Sequence, residues 1–355
     1  MGPLHGITVV DLTQFLPGPM ATLMLADAGA RVIKVEPPGG DPARAMEPME
    51  AGQSVWFRNL NRGKEARTLD LKSPAGADAL RELVGQADVF VESFRPGVMA
   101  RLGFGWEDLS ALNPRLVYCS ISAFGQTGSH AHHPAHDLVV EALSGFLSVN
   151  DGPDGTPVVP GVPAADMAAG LAAAAGILTA LVGRAASGRG AYVDASMLRA
   201  LLPWSAHIAG GALAGGAPPR SAEQRSLGGA AMYNVYRTAD GRYVVLGGRE
   251  PKFARVLPEA LGRLDLLPLA EAPAGEPQAP LVAFLREAFA KRTRDEWEDW
   301  FGDKDVAFAP VLDFREALSR QPAAAFVVEA DGSHQFAPAI PWPGWTSRPA
   351  PEPVA

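Results

Sequence analysis

Short β-branched runs alternating with helix-forming stretches predict an α/β protein with a parallel sheet, to which a second, smaller α+β domain is added. Three observations carry this. Gly6-Ile7-Thr8-Val9-Val10-Asp11-Leu12 reads as a strand that ends in the loop Gln14 to Pro19. The mostly apolar helical stretch Met20 to Ala28 follows, and then a second strand, Arg31-Val32-Ile33-Lys34-Val35-Glu36, stopped by Pro37-Pro38-Gly39-Gly40. A β-α-β unit of this kind implies parallel strands. The alternation continues through a helix at Pro74 to Gly85, a strand at Val89-Phe90-Val91, a helix near Val98 to Leu102 and a strand at Leu116 to Ile121. From Met232 the character changes: Tyr233 to Thr238 and Arg242 to Leu246 flank Ala239-Asp240-Gly241, a hairpin signal. Helices over Lys252 to Leu261 and Leu281 to Phe301 complete the smaller domain.

The chain has 355 residues, which favours two domains or one large one. The reading places a large domain over 1–195, a Gly/Ala/Pro-dense linker over 196–225, the small domain over 226–308, and a return to the large domain over 309–355. A net charge of −8 supplies no broad positive field, so nucleic acid is excluded as a partner and any phosphate site must be local. The one cysteine, Cys119, lies in an apolar run and reads as a buried thiol, which suits a reducing cytoplasm. The first residues carry neither an export signal nor a myristoylation motif. Met167 to Gly183 is apolar but shorter than the roughly 20 residues of a bilayer span, so it reads as a buried helix and no membrane partner is expected.

Four segments, taken together, resemble the class III coenzyme-A transferase and 2-methylacyl-CoA racemase superfamily (CaiB/BaiF-like). They are Val9-Val10-Asp11-Leu12 through Gly18-Pro19 to Val32-Ile33-Lys34-Val35-Glu36-Pro37-Pro38; Asn61-Arg62-Gly63-Lys64; Glu92-Ser93-Phe94-Arg95-Pro96-Gly97; and Gly188-Arg189-Gly190 through Asp194 to Ser196. Ala309-Pro310-Val311-Leu312 with Glu316-Ala317 resembles that family's return to the first domain. The resemblance implies a Rossmann-like large domain and two chains interlocked as a homodimer. No Gly-x-Gly-x-x-Gly follows the first strand, which disfavours a nicotinamide cofactor.

An acyl-CoA thioester offers two chemistries, removal of the proton beside its carbonyl and attack on the carbonyl carbon. The first needs a base and an acid on opposite faces of the α-carbon; the second needs a carboxylate nucleophile. Asp166 sits among apolar residues at an expected helix start, where burial raises a carboxyl's pKa and the helix terminus favours its anion. Read alone it caps that helix; the resemblance makes it the catalytic aspartate. His136 and Asp137 in Pro134-Ala135-His136-Asp137-Leu138 are similar to the racemases' Gly-His-Asp, with Ala135 in place of the glycine. The nearby His130, His132 and His133 invite a metal reading, but Pro134 disrupts the helix that would align His132 with His136, so no metal is expected. Glu250 resembles the racemases' glutamate that reaches the site from the partner subunit.

For CoA itself the resemblance implies Leu16, Pro17, Leu60, Lys64, Ser93, Phe94, Arg95 and Arg101, with Lys64, Arg95 and Arg101 on phosphates. No cofactor beyond the CoA of the substrate is required. The leading expectation is epimerisation of a 2-methylacyl-CoA thioester by 1,1-proton transfer between His136 and Asp166, with N–H groups at the Asp166 helix start holding the enolate. The alternatives are a class III CoA-transferase working through an aspartyl-CoA intermediate on Asp166, and an inactive acyl-CoA-binding protein. Only Gly228-Gly229 precedes Met232, where transferases of the family carry a longer glycine loop.

Overall fold

The computed structural model describes residues 2–352, apart from 153, 249, 330, 331 and 344. The chain divides into two compact units, one formed by residues 1–144, 160–204 and 322–355, the other by 145–159 and 205–321.

The first unit is a mixed α/β fold around six strands: β1 (Thr8–Leu12), β2 (Arg31–Glu36), β3 (Glu65–Thr68), β4 (Val89–Glu92), β5 (Val117–Ser122) and β6 (Ala191–Ser196). They are hydrogen-bonded in the order β3-β2-β1-β4-β5-β6, and every neighbouring pair is parallel. All four residues of β4 and five of six in β5 are buried. That pattern is expected of central parallel strands covered on both faces, and it explains why their sequences read as continuous apolar runs. Sheet residues Val10, Leu12, Val35, Phe90 and Tyr118 form a core with Leu80 and Val84 of α3 (Pro74–Gly85), Met99 of α4 (Val98–Arg101) and Leu109 of α5 (Trp106–Leu112).

Two further helices, α1 (Pro17–Asp27) and α7 (Ala164–Ser187), pack together and against the sheet. Glycines let α7 approach closely. A Cβ at Gly170 would lie 2.8 Å from the Pro17 carbonyl oxygen, and one at Gly176 would lie 2.8 Å from Val193 of β6. Where the sequence predicts a helix over 167–183, α7 runs for 24 residues, because its Ala-rich flanks continue the helix and it ends only at Gly188 in the left-handed region, φ +70°. It is long and apolar enough to cross a membrane by length and composition alone.

In the second unit, strands β7 (Tyr233–Arg237) and β8 (Tyr243–Gly247) form the antiparallel hairpin expected from Ala239-Asp240-Gly241. A third strand, β9 (Phe308–Pro310), pairs with β8. Because of that pairing, and because Arg294 grips Glu316 at 2.8 and 2.9 Å, residues 309–321 stay with this unit; the chain rejoins the first unit at 322, not 309. Residues 196–225, read as linker, include helices over Met197–Leu201 and Ala206–Leu213. The single helix expected over 281–301 is two, Ala279–Phe289 and Arg294–Phe301. Thr293 interrupts it by capping the second, its hydroxyl and Glu296 exchanging hydrogen bonds with the backbone. Tyr236, Leu257, Leu285, Phe289, Trp297 and Phe301 fill the core.

Candidate functional site

The order of the six-stranded sheet reverses between β1 and β4, and in open α/β sheets a crevice opens beyond the carboxyl ends of strands at such a point. Here it holds a cavity of about 300 Å3. Gln14, Phe15 and Pro17 line it from the loop after β1, Ser93 to Pro96 from the loop after β4, and Ile121 to Ala123 from the end of β5. The first two loops are tied together by the Gln14 N–H, which donates to Ser93 Oγ at 3.2 Å. Phe15 holds φ +63°, a conformation rare for a bulky side chain, as the chain turns into α1. The remaining wall is Ala131 to His136, Asp166 and Met197. The two residues singled out for proton transfer, His136 and Asp166, therefore face one space.

Each is placed by a helix start. His136 immediately precedes α6 (Asp137–Ser144), and its carbonyl accepts the Val139 and Val140 N–H groups at 3.1 and 3.4 Å. Its side chain is exposed to the cavity. Asp166 is the third residue of α7, a helix whose preceding residue, Pro163, offers no side-chain cap. The missing caps come from α6. Asp137 Oδ1 accepts the N–H of Asp166 at 2.9 Å, and Glu141 Oε1 accepts the N–H of Ala164 at 3.0 Å. Burial, then the charges of Asp137 and Glu141, push the Asp166 carboxyl up to about 7. At neutral pH Asp166 is thus populated both as acid and as base.

Asp137 itself does not line the cavity. It holds the helix that carries Asp166. The expectation that N–H groups at the start of α7 hold an enolate also changes, because those of Ala164 and Asp166 are occupied by carboxylates. His130 and His133 pack at an angle against Phe124, and Ser129 Oγ lies 3.0 Å from His130 Nδ1.

Of the positions expected to bind CoA, Pro17, Ser93, Phe94 and Arg95 line the cavity, and Arg95 is exposed. Leu16 sits just before α1, Leu60 is half-buried on α2 (Val55–Asn61), and Arg101 is exposed at the end of α4. Lys64 is not placed to meet a phosphate. Its side chain is fully buried, and Nζ donates to Asp11 Oδ2, Pro19 O, Thr22 Oγ1 and Asn61 Oδ1 at 2.8 to 3.0 Å. Burial pushes it down to about 8. Burial would raise its partner Asp11, but Lys64 and Lys34 outweigh that and hold the carboxyl below its usual range. A cation that closes this network packs α1 against the sheet; it does not recruit a ligand.

Glu250 belongs to the second unit. It is exposed, precedes the helix Pro251–Ala260, and lines a cavity of about 470 Å3 with Arg225, Ser226, Tyr233 and Gly247. Two acidic residues near the centre of the first unit were missed from sequence. Glu92, buried at the end of β4, accepts from Ser120 Oγ and from the Phe94 N–H at 2.8 Å, and burial pushes it up to about 7. Glu141 was the other; its spacing of four from Asp137 was the available signal, because that spacing puts both on one helix face.

Comparison with known proteins converges on one group. The sequence profile of CoA-transferase family III matches residues 4–353. The chain is 38% identical over 345 residues to the acetyl-CoA:oxalate CoA-transferase of Acetobacter aceti, covering 91% of this chain and 84% of that one. It is also 38% identical over 320 residues to the human alpha-methylacyl-CoA racemase, covering 89% and 79%. Among solved structures, a CAIB/BAIF family protein from Brucella suis superimposes with a TM-score of 0.86 at 29% identity, over 99% of this chain and 96% of that one.

Proposed function

The chain belongs to CoA-transferase family III, and from that premise we propose that it epimerises a 2-methylacyl-CoA or similar thioester by 1,1-proton transfer. The observation that carries the proposal is the convergence of His136 and Asp166 on one cavity. An acid and a base facing a shared space are what inversion of an α-carbon requires. In one direction His136 takes the α-proton and Asp166, protonated, delivers another to the opposite face; the roles exchange for the other stereoisomer. A carboxyl held near 7 suits this, since it gives and takes a proton at working pH.

Pro17, Ser93, Phe94 and Arg95 support binding of the pantetheine and phosphate portions, with Arg95 offering charge-assisted hydrogen bonds. No cofactor beyond the CoA of the substrate enters the reaction. We place the enzyme in the cytoplasm as an interlocked homodimer in which Glu250 acts from a second copy of the chain to orient and charge-balance His136. Large apolar side chains left open, such as Val182 at 75% and Leu213 at 80% exposure, support burial against a second copy.

A second reading is favoured by the name of the Acetobacter aceti relative, an acetyl-CoA:oxalate CoA-transferase. There Asp166 attacks the thioester carbonyl and CoA leaves as thiolate. The thiolate then attacks the resulting anhydride at the aspartyl carbon and releases the donor acid as carboxylate; the acceptor carboxylate displaces CoA thiolate from the aspartyl-CoA, and attack of that thiolate on the acceptor's acyl carbon frees Asp166. Both readings use one carboxylate, so the test turns on the α-carbon. Incubation with 2-methylacyl-CoA in deuterated water without acceptor acid should place deuterium at that carbon and erode stereochemical purity. No exchange, with CoA migrating once a free acid is added, overturns the epimerase. Asp166→Ala abolishes either activity, whereas His136→Ala abolishes exchange and spares transfer.

A further inference from the structure

The first turn of α7 is held by two carboxylates of another helix. Asp137 and Glu141 stand one turn apart on α6 and take the N–H groups of Asp166 and Ala164, at 2.9 and 3.0 Å. Glu141 has no exposed surface, and its second oxygen, Oε2, is buried with no donor. A buried, half-satisfied carboxylate is costly, and it persists where the surrounding structure uses it. The groups that face it are the carboxyls of Asp137, on its own helix, and of Asp166, on α7. From α8 (Met197–Leu201), also packed on α6, comes Arg199, but that guanidinium lies 3.5 Å from Asp194. Besides Arg199, the ionisable nitrogen at this site is that of His136, which precedes Asp137 in the chain and lines the cavity with Asp166.

We infer that Glu141 is a positioning residue for Asp166: together with Asp137 it fixes where that carboxyl sits and how readily it ionises. Position follows from the clamp, since α7 has no cap of its own and the Glu141 bond anchors its first residue. Ionisation follows from crowding. Three interacting carboxyls release their protons in steps that belong to the set, and the last step is raised by the charges already present. The direction agrees: burial, opposed by the Ala164 N–H and aided by Asp137, raises Glu141 as well.

The inference rests on Asp166 as the acid–base carboxyl, and two full-length variants test it. Glu141→Gln keeps an amide oxygen to accept the Ala164 N–H but removes a charge; Glu141→Ala removes both. Asp166 is titrated by carboxyl-carbon NMR, identified by the signal lost in Asp166→Asn, and the pH profile of α-deuterium exchange is recorded alongside. In Glu141→Gln the NMR midpoint and the acidic limb should move together to lower pH, by about half a unit. In Glu141→Ala kcat should fall about tenfold with KM little changed, and Gln should restore most of it. An unmoved Asp166 titration in the Gln variant, or an Ala variant as active as the Gln one, overturns the inference. Absence of exchange in the unmodified enzyme defeats the epimerase alone, because the NMR titration still decides the part played by Glu141.

Discussion

Replacing Lys64 by Met separates a structural cation from a ligand-binding one. The side chain of Lys64 is fully buried, and its Nζ serves four acceptors, one of them the equally buried Asp11. Methionine fills the volume of the lysine stem, so little cavity is created. What is lost is the charge. Asp11 keeps the Thr13 N–H, the Thr13 hydroxyl and the Thr22 hydroxyl, at 2.9, 2.6 and 2.6 Å. Its nearest cation is gone, however, and Asn61 Oδ1 and Pro19 O each lose a donor. Breaking one side of a buried ion pair costs about 3–5 kcal/mol. At ~2–4 °C per kcal/mol for a unit of this size, the transition of the first unit should fall by about 6–20 °C. The assay is thermal and urea unfolding followed by tryptophan fluorescence, paired with KM for the acyl-CoA. If Lys64 instead binds a phosphate, stability is unchanged and KM rises; that outcome would refute the reasoning. Asp11→Asn combined with Lys64→Met should cost less than the two single changes added together, because the pair is then removed whole.

Two further outcomes follow from the site. Asp166→Asn should abolish turnover yet stabilise the fold at high pH. The native carboxyl lies near 7 against 3.8 in its ordinary state, so the folded chain binds more protons between those values and loses stability as pH rises through them. Asparagine removes that loss. Its advantage should grow from near zero at pH 4 to about 1–3 kcal/mol at pH 8, discounted for partial exposure from the roughly 4 kcal/mol that three units represent; a flat difference in urea midpoints across that range rules it out. Gly170→Ala places a Cβ 2.8 Å from the Pro17 carbonyl oxygen and 3.2 Å from Met20 Sδ. Since the nearer obstacle is backbone, α1 must shift, costing about 1–3 kcal/mol and raising KM through the displaced Pro17 loop; unfolding and KM both matching the unsubstituted enzyme would contradict the close packing.

The inner strands were legible because β1, β4 and β5 are buried and read as apolar runs, whereas the edge strand β3, Glu65–Thr68, is largely open and carries no such run. The hairpin was equally plain, since Asp240-Gly241 supplies φ +78° at the glycine. Less visible was whatever depended on long-range pairing. Nothing local in Phe308-Ala309-Pro310 says that it joins β8 and keeps 309–321 in the second unit. Lys64 was misread for a related reason. A lysine after Asn61-Arg62-Gly63 looks available to a phosphate until the fold brings Asp11 and Thr22 around it. Pro17, Ser93, Phe94 and Arg95 were singled out by resemblance and do line the cavity, whereas Glu141, inside a helix, offered only its spacing of four from Asp137.

The opposing influences on Asp166 can be resolved from its surroundings. A carboxylate in the first turn of a helix ordinarily gains from the exposed N–H groups and the positive end of the dipole, which lower its pKa. Here the N–H groups of the first and third residues are already taken by Glu141 and Asp137. Those partners also bring negative charge. The helix terminus is thus neutralised as an anion site before Asp166 can use it, and burial is left to decide the direction, upward to about 7. Either chemistry available to the family benefits, because a carboxyl of raised pKa is both a stronger base toward an α-proton and a stronger nucleophile toward a thioester carbonyl. The carboxyl's strength therefore cannot distinguish epimerase from transferase; what favours proton transfer is that an imidazole faces the same cavity.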